Sequence, residues 1–495
     1  MRLMNRWSIG VCLAFAVLGV RAQSVDAHRK PGTTVRVELI GDSTQTDQAG
    51  YGRGFCANLT QQVDCVNMAR GGASTKTFRE MGLWEKSLAT QPDYMLIQFG
   101  HNDEPSAEKL PRQTTLEEFE ANLRRFVDEA RARHIQPVLV TPLTRRYFDK
   151  DGKVRSDLGT HSAITKRVAE SMHVPLIDLQ TDSIAYLNGL GEASGSALGI
   201  TKKDRDGKVA PDKTHLNWEG SYVFGRIVAV DLAKAVPPLA TYVLPKPATL
   251  PPEGLLAMRV LRGEPFKIVL VGDSTVATAG GWGPAFCAAL TPNVTCVDVA
   301  ANGRSSKSYM DEGLWAKALA LHGQYYFIQF GHNDQKTDAS RHTDPQTGYA
   351  ENLQRIIREV RAAGAIPVVL SPLSRRNYTD GKLVEDGLAA YADAARDVAA
   401  QERVTFVDLF ALSRKYLSGL TQEQADELDA TTHPDAKAEN ATAGKPDRTH
   451  LNDKGKSIFG RMVADNVIRV QVELGPNVVG VPEATTTQAA PTDGH

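Results

Sequence analysis

A single internal repeat governs what this 495-residue chain can become. VELIGDSTQ at 37–45 returns as IVLVGDSTV at 268–276, 231 residues later. VDCVNMARGGASTKTF (63–78) returns as VTCVDVAANGRSSKSY (294–309), and IQFGHND (97–103) as IQFGHND (328–334), at the same offset. TPLTRR (141–146) and SPLSRR (371–376) follow at offset 230, and DKTHLN (212–217) and DRTHLN (447–452) at 235. A solenoid unit is 20–50 residues, so this period is a domain written twice. The copies are expected at 32–235 and 264–474. A stretch at 236–263, with six prolines between 236 and 254, is expected as an extended spacer, and 475–495 as a flexible tail.

Each copy alternates short β-branched runs with amphipathic segments. The runs in the first copy are VRVELI (35–40), VDCVNMA (63–69), YMLIQF (94–99), QPVLVTP (136–142) and VPLIDL (174–179). The second copy has FKIVLV (266–271), VTCVDVA (294–300), YYFIQF (325–330), IPVVLSP (366–372) and VTFVDL (404–409). Nearly continuous apolar strands joined by helices imply a parallel sheet covered on both faces. The fold class is therefore α/β: two tandem three-layer α/β/α, flavodoxin-like domains, each with a five-stranded parallel sheet. Sites in such sheets form beyond the carboxyl ends of the strands.

The N-terminus reads as a signal peptide, 1–22. Arg2 and Arg6 precede an apolar run from Ser8 to Val20, and Val20-Arg21-Ala22 offers a cleavage site. Thirteen apolar residues fall short of the ~20 that a spanning helix needs. The mature chain is expected in the periplasm or outside the cell. Four cysteines then remain at a repeated C-x8-C spacing, which suggests disulfides Cys56–Cys65 and Cys287–Cys296 in an oxidising compartment. With 57 basic and 58 acidic side chains, no global positive field recruits nucleic acid or an anionic membrane.

The polar motifs sit at strand ends. Ser43 follows the first strand, Gly72 the second and Asn102 the third, and Asp212 with His215 comes just before the last helix. The second copy repeats them as Ser274, Gly303, Asn333, Asp447 and His450. A serine is a poor nucleophile until a histidine removes its proton, and a carboxylate fixes that histidine's tautomer. The backbone N–H groups of Ser43 and Gly72 and the Asn102 amide are candidate oxyanion donors, as are Ser274, Gly303 and Asn333. Asp42 is read as a turn brace, and His101 and His332 as structural supports. No metal or cofactor is expected, because serine attack needs none.

These four blocks make the chain resemble two SGNH hydrolases of the GDSL superfamily in tandem. G-D-S-T, G-R-S-S-K-S-Y, F-G-H-N-D and D-x-T-H-L-N resemble the rhamnogalacturonan acetylesterases in particular. The resemblance implies Ser43–His215–Asp212 and Ser274–His450–Asp447 as triads, with Gly72–Asn102 and Gly303–Asn333 completing the oxyanion holes. It implies an esterase acting on an acetylated polysaccharide of the pectin type; acetylxylan or another glycan is the nearest alternative. A tandem glycan-binding protein with one or both copies inactive is the rival of another class. Arg145, Arg146, Arg375 and Arg376 follow the fourth strands and are read either as uronate-binding or as solvated loop residues. Arg304 has Ala73 as its counterpart, a departure that leaves open whether the two copies share one substrate preference. The polar segments 189–211 and 419–446 are expected as loops that shape substrate access.

Overall fold

The computed structural model describes residues 30–106, 110–155, 157–203, 209–384, 387–430 and 447–479. The expected signal peptide lies outside them, as do most of 419–446 and the chain beyond 479.

In the first copy, β1 (Val35–Gly41), β2 (Val63–Asn67), β3 (Tyr94–Gln98), β4 (Gln136–Val140) and β5 (Leu176–Ile177) pair in parallel in the order β2-β1-β3-β4-β5. Successive side chains leave a strand on opposite faces, and each face here meets helices. Val35, Val37, Leu39 and Leu96 pack with Phe55, Phe224 and Val228 on one side. Ile40, Met95 and Ile97 pack with Phe119, Leu123 and Phe126 on the other. The Leu116–Ala132 helix shows why such segments fold. Thr115 and Glu118 form a capping box, and Phe119, Leu123, Phe126, Val127 and Ala130 make one buried stripe.

The chain then makes an antiparallel hairpin of β6 (Gly199–Lys203) and β7 (Val209–Leu216). The described parts of the 189–211 segment are thus built structure, with a Glu192–Ala197 helix leading into the hairpin, where the sequence reading expects a loop.

The second copy repeats the sheet with β8 (Phe266–Gly272), β9 (Val294–Asp298), β10 (Tyr325–Gln329) and β11 (Ile366–Leu370). A two-residue hairpin of β12 (Tyr378–Thr379) and β13 (Lys382–Leu383) precedes the edge strand β14 (Thr405–Val407). The order is β9-β8-β10-β11-β14. Both expected disulfides are formed, each tying the helix after the nucleophile loop to the second strand of its sheet, with Cα separations of 5.7 Å and 5.5 Å.

The proline-rich stretch differs from the expected spacer. Pro237–Tyr242 is a 3-10 helix that buries Leu239 in the first core, and Leu59 and Val243 form a β-bridge. Pro252–Leu261 is a helix that buries Ala257 and Val260 in the second core. Proline's fixed φ suits the first turn of a helix, so these prolines start elements. The start of the expected tail is likewise built in. Val472–Asn477 is a 3-10 helix, and Leu474 and Val478 lie in the second core.

Candidate active site

Gly41-Asp42-Ser43 ends β1. Asp42 caps a short 3-10 turn, Ser43–Gln45, by accepting from the Thr44 N–H at 2.9 Å and the Thr44 hydroxyl at 2.7 Å. Its second oxygen lies 3.4 Å from His101 Nδ1. Burial alone would raise the Asp42 carboxyl; His101 and the Thr44 donors outweigh it and hold the group below its ordinary value. Asp273 repeats these contacts with Thr275 and His332. Asp42, His101 and His332 therefore brace the nucleophile turn, as the sequence reading expects.

His215 arrives on β7, behind Asp212. Its Nε2 lies 3.0 Å from Ser43 Oγ, and its Nδ1 lies 3.0 Å from Asp212 Oδ2. Asp212 Oδ1 accepts the Thr214 and His215 N–H groups at 2.7 Å and 2.8 Å. Burial would raise the Asp212 carboxyl, yet the His215 ring and these two amides hold it well below the usual carboxylate range. In the second copy His450 Nε2 is 2.7 Å from Ser274 Oγ and Nδ1 is 2.8 Å from Asp447 Oδ2. Asp447 is also held low, its burial opposed by the same kind of donors. The copies differ in access: the His215 side chain is 33% exposed and that of His450 only 4%.

Gly72 and Gly303 sit at φ 79° and 75°, a left-handed turn that a side chain would strain. Asn102 Nδ2 donates to the Ala73 carbonyl at 2.9 Å, and Asn333 Nδ2 to the Arg304 carbonyl at 3.1 Å. Each amide is thereby locked against the turn that follows its glycine. The next residue starts a helix with a capping box, Ser74 with Thr77 and Ser305 with Ser308.

Sequence reasoning missed the anchor of this turn. Asp103, the last residue of FGHND, accepts from the Thr75 N–H at 3.0 Å and from the Thr114 hydroxyl at 3.1 Å. Asp334 does the same with Ser306 and Thr343. These carboxyls fix the asparagine turn to the helix that follows Gly72 in the first copy and Gly303 in the second. Burial pushes them up, Asp103 to about 7 and Asp334 to about 6. The signal was available, since the acid closes a seven-residue block identical in both copies.

The arginine pairs require correction. Arg146 and Arg376 are fully buried. Arg146 donates to the carbonyls of Asp212 at 2.9 Å and His215 at 2.6 Å. Arg376 donates to the His450 carbonyl at 3.0 Å and forms a buried ion pair with Asp429. Both clamp the histidine-bearing segment and offer no face to a substrate. Arg145 is also buried, bridging Asp157 at 2.6 Å and Glu104 at 2.9 Å, and Arg375 donates to Gln335 at 2.8 Å. Arg304 lines an open cleft, beside Gly303 with Lys307 and Arg341, although Glu312 pairs with it at 3.0 Å.

Both halves of the chain resemble known proteins. The model of the GDSL-like lipase/acylhydrolase family matches residues 37–222 and again 270–458. A rhamnogalacturonan acetylesterase of Bacillus subtilis (strain 168) is 32% identical over 223 residues, which is 42% of this chain and 94% of that protein. A probable rhamnogalacturonan acetylesterase of the same strain is 30% identical over 221 residues, 43% of this chain and 97% of that one. Among solved structures, an acetylxylan esterase of Geobacillus stearothermophilus aligns at 21% identity and TM-score 0.31, over 41% of this chain and 94% of that chain. Two complete nucleophile blocks, each inside a matched range, make this chain a tandem member of the GDSL-like lipase/acylhydrolase family.

Proposed function

We propose that the chain is an exported carbohydrate O-acetylesterase with two working sites, and that its substrate is acetylated rhamnogalacturonan. One observation carries the reading: in both copies a serine, a histidine and an aspartate stand in unbroken hydrogen-bonding sequence. A glycan-binding protein without turnover has no use for two such relays. Two relatives bearing the rhamnogalacturonan acetylesterase name favour the substrate. The apolar stretch at 8–20 and two disulfides favour export.

The chemistry follows from the geometry. His215 Nε2 takes the Ser43 proton as Oγ attacks the acetyl carbonyl, and Asp212 stabilises the imidazolium that forms. The carbonyl oxygen gains charge and is met by the Ser43 and Gly72 N–H groups and the Asn102 amide. The N–H groups of Ser43 and Gly72 have no hydrogen-bond partner among the described residues, so they are available. The intermediate collapses as His215 returns the proton to the sugar oxygen. Water, deprotonated by the same histidine, then releases acetate and restores Ser43. Ser274, His450 and Asp447 repeat the cycle.

Acetate release from a panel of acetylated rhamnogalacturonan, homogalacturonan and xylan tests the proposal, with Ser43→Ala, Ser274→Ala and the double variant as controls. Rhamnogalacturonan is expected to lead, each single variant to retain part of the rate, and the double variant to retain none. A double variant as active as the parent would overturn the mechanism, and a panel led by xylan the substrate.

A further inference from the structure

The hairpin that delivers Asp212 and His215 is not held by the first copy alone. A small apolar cluster joins Ala49, Ile200 and Val472. Ala49 lies in the loop after Ser43, and its carbonyl accepts from the Leu216 N–H at 2.8 Å. Ile200 lies on β6. Val472 opens the 3-10 helix at the end of the second copy. Val472 is buried among first-copy residues, whereas Leu474, two positions on, is buried in the second copy's own core. Neighbours in this one turn therefore serve different domains.

The surroundings reinforce the contact. The Arg53 guanidinium stacks 3.6 Å over Trp218, the residue that begins the helix after His215-Leu216-Asn217. Burial pushes the Arg53 guanidinium below its ordinary value, and the charges of Asp47, Glu473 and Glu253 oppose this only in part, the last two from beyond the first copy's sheet. Glu473 is buried and accepts from Tyr325 at 3.0 Å, which fixes it to the second copy. Gly254 lies so close to Trp218 that a Cβ there would come within 2.6 Å of the ring.

The arrangement runs one way. The 235-residue offset places Pro237 and Pro238 of the first copy where Val472 and Glu473 stand in the second. Both prolines are exposed. A contact in which a patch on one copy meets a different patch on the other is heterologous, so the first site receives a brace that this element does not return to the second.

We infer that the second copy's terminal turn positions the first copy's catalytic hairpin, with Val472, packed against Ala49 and Ile200, as the positioning residue. The inference rests on the triad reading of the proposed function and is independent of the glycan. A catalytic group misplaced by 1 Å costs about 10²-fold in rate, so a hairpin loosened part of the time is expected to cost about tenfold.

The test uses the full chain with Val472→Asp, which sets a charge against Ala49 and Ile200. With Ser274→Ala present, only the first site reports; with Ser43→Ala, only the second. Val472→Asp is expected to lower first-site kcat and the rate of fluorophosphonate labelling of Ser43 about tenfold, with KM within twofold. Second-site kcat is expected to stay within twofold, and Val472→Ile to keep both sites near the parent. In Val472→Ala, a milder variant, amide exchange at 209–216 is expected to accelerate. The inference fails if first-site kcat is unchanged in Val472→Asp, if both sites fall in parallel, or if exchange at 209–216 is unaltered. Failure of the proposed function reads differently: no acetate release from either site, with Ser43 labelling still sensitive to Val472.

Discussion

Replacing Arg376 by methionine keeps most of its volume and removes its charge. The pair it leaves behind is fully buried, so Asp429 loses its counter-charge without gaining water. Breaking a buried pair in this way costs about 3–5 kcal/mol. Burial already pushes the Asp429 carboxyl up to about 6, with the Arg376 charge pulling against it. Without that cation the carboxyl titrates higher still. A carboxyl whose folded pKa lies above its unfolded value keeps its proton longer in the folded chain, so stability falls as pH rises between the two values. In the parent chain this fall begins near the unfolded value of 3.8 and ends near pH 6. In Arg376→Met it continues beyond pH 6 at about 1.4 kcal/mol per pH unit, so the penalty grows by up to ~2.7 kcal/mol between pH 6 and pH 8. Arg146→Met is the contrasting case. Gly199 stands where Asp429 stands in the second copy, and Arg146 donates to carbonyls. Asp212, which feels the Arg146 charge, is held well below the usual carboxylate range and stays ionised from pH 6 to 8. Losing charge-assisted hydrogen bonds costs about 1.5–3 kcal/mol each, with no slope across that range. Urea-dependent hydrogen exchange, read separately on peptides of each copy at pH 6, 7 and 8, measures both. Adding Asp429→Asn to Arg376→Met is expected to flatten the slope. An Arg376→Met penalty that is equal at pH 6 and 8, or an Arg146→Met penalty as steep, would refute the reasoning.

Asn102→Ala and Asn333→Ala are each expected to lower kcat of their own site by about 10²–10³ with little change in KM, measured with the other serine replaced by alanine. Asp103 and Asp334, raised by burial to about 7 and about 6, keep their protons longer in the folded chain. Each is therefore expected to lower stability by about 1.4 kcal/mol per pH unit as pH climbs toward its folded value, and calorimetry of Asp103→Asn at pH 5, 6 and 7 should show the first copy's share removed. Replacing Cys56 and Cys65 together by serine opens a link of sequence separation 9 and is expected to cost about 2–3 kcal/mol, read as a lower urea midpoint for the first copy.

The sheet was legible because apolar runs obey a short-range rule, whereas Ser43 and His215, 172 residues apart, were brought together by the repeated motifs and their resemblance to a known family. Short apolar runs such as YMLIQF and YYFIQF, alternating with amphipathic segments, read as strands covered on two faces, and sites in such sheets form where those strands end. The arginine clamps were illegible for a physical reason. Arg146 lies 66 residues from Asp212 in the chain and Arg376 lies 53 from Asp429, so their partners are set by folding. An Arg-Arg pair after a strand looks the same whether it points to solvent or to buried carbonyls. The prolines misled for a related reason: one composition serves an extended spacer and the first turn of a helix, and only Leu239 and Ala257 entering the two cores decides between them.

The clamps show why identical motifs do not make the two sites interchangeable. In both copies a buried guanidinium donates to the carbonyl of the histidine that faces the serine, His215 in the first and His450 in the second. In the first copy Gly199 lets the Arg146 guanidinium lie close to the chain; a Cβ there would come within 2.5 Å of Nη2 and 2.9 Å of the Asp212 carbonyl. Arg146 then spends its donors on the backbone of the triad segment itself. In the second copy Asp429 takes the glycine's place, and Arg376 is held by charge while keeping only the His450 carbonyl. The first solution leaves the hairpin to be steadied from outside, which is the place that Val472 occupies. The second carries its own buried counter-ion and with it a dependence on pH. Exchanging the two residues, Gly199→Asp with Asp429→Gly, should therefore fail to exchange the two behaviours. Gly199→Asp drives a side chain into the Asp212 carbonyl and is expected to lower first-site kcat, whereas Asp429→Gly leaves Arg376 buried without its carboxylate. A swap that left both rates and both pH slopes unchanged would show that the clamps are incidental to how the histidines are held.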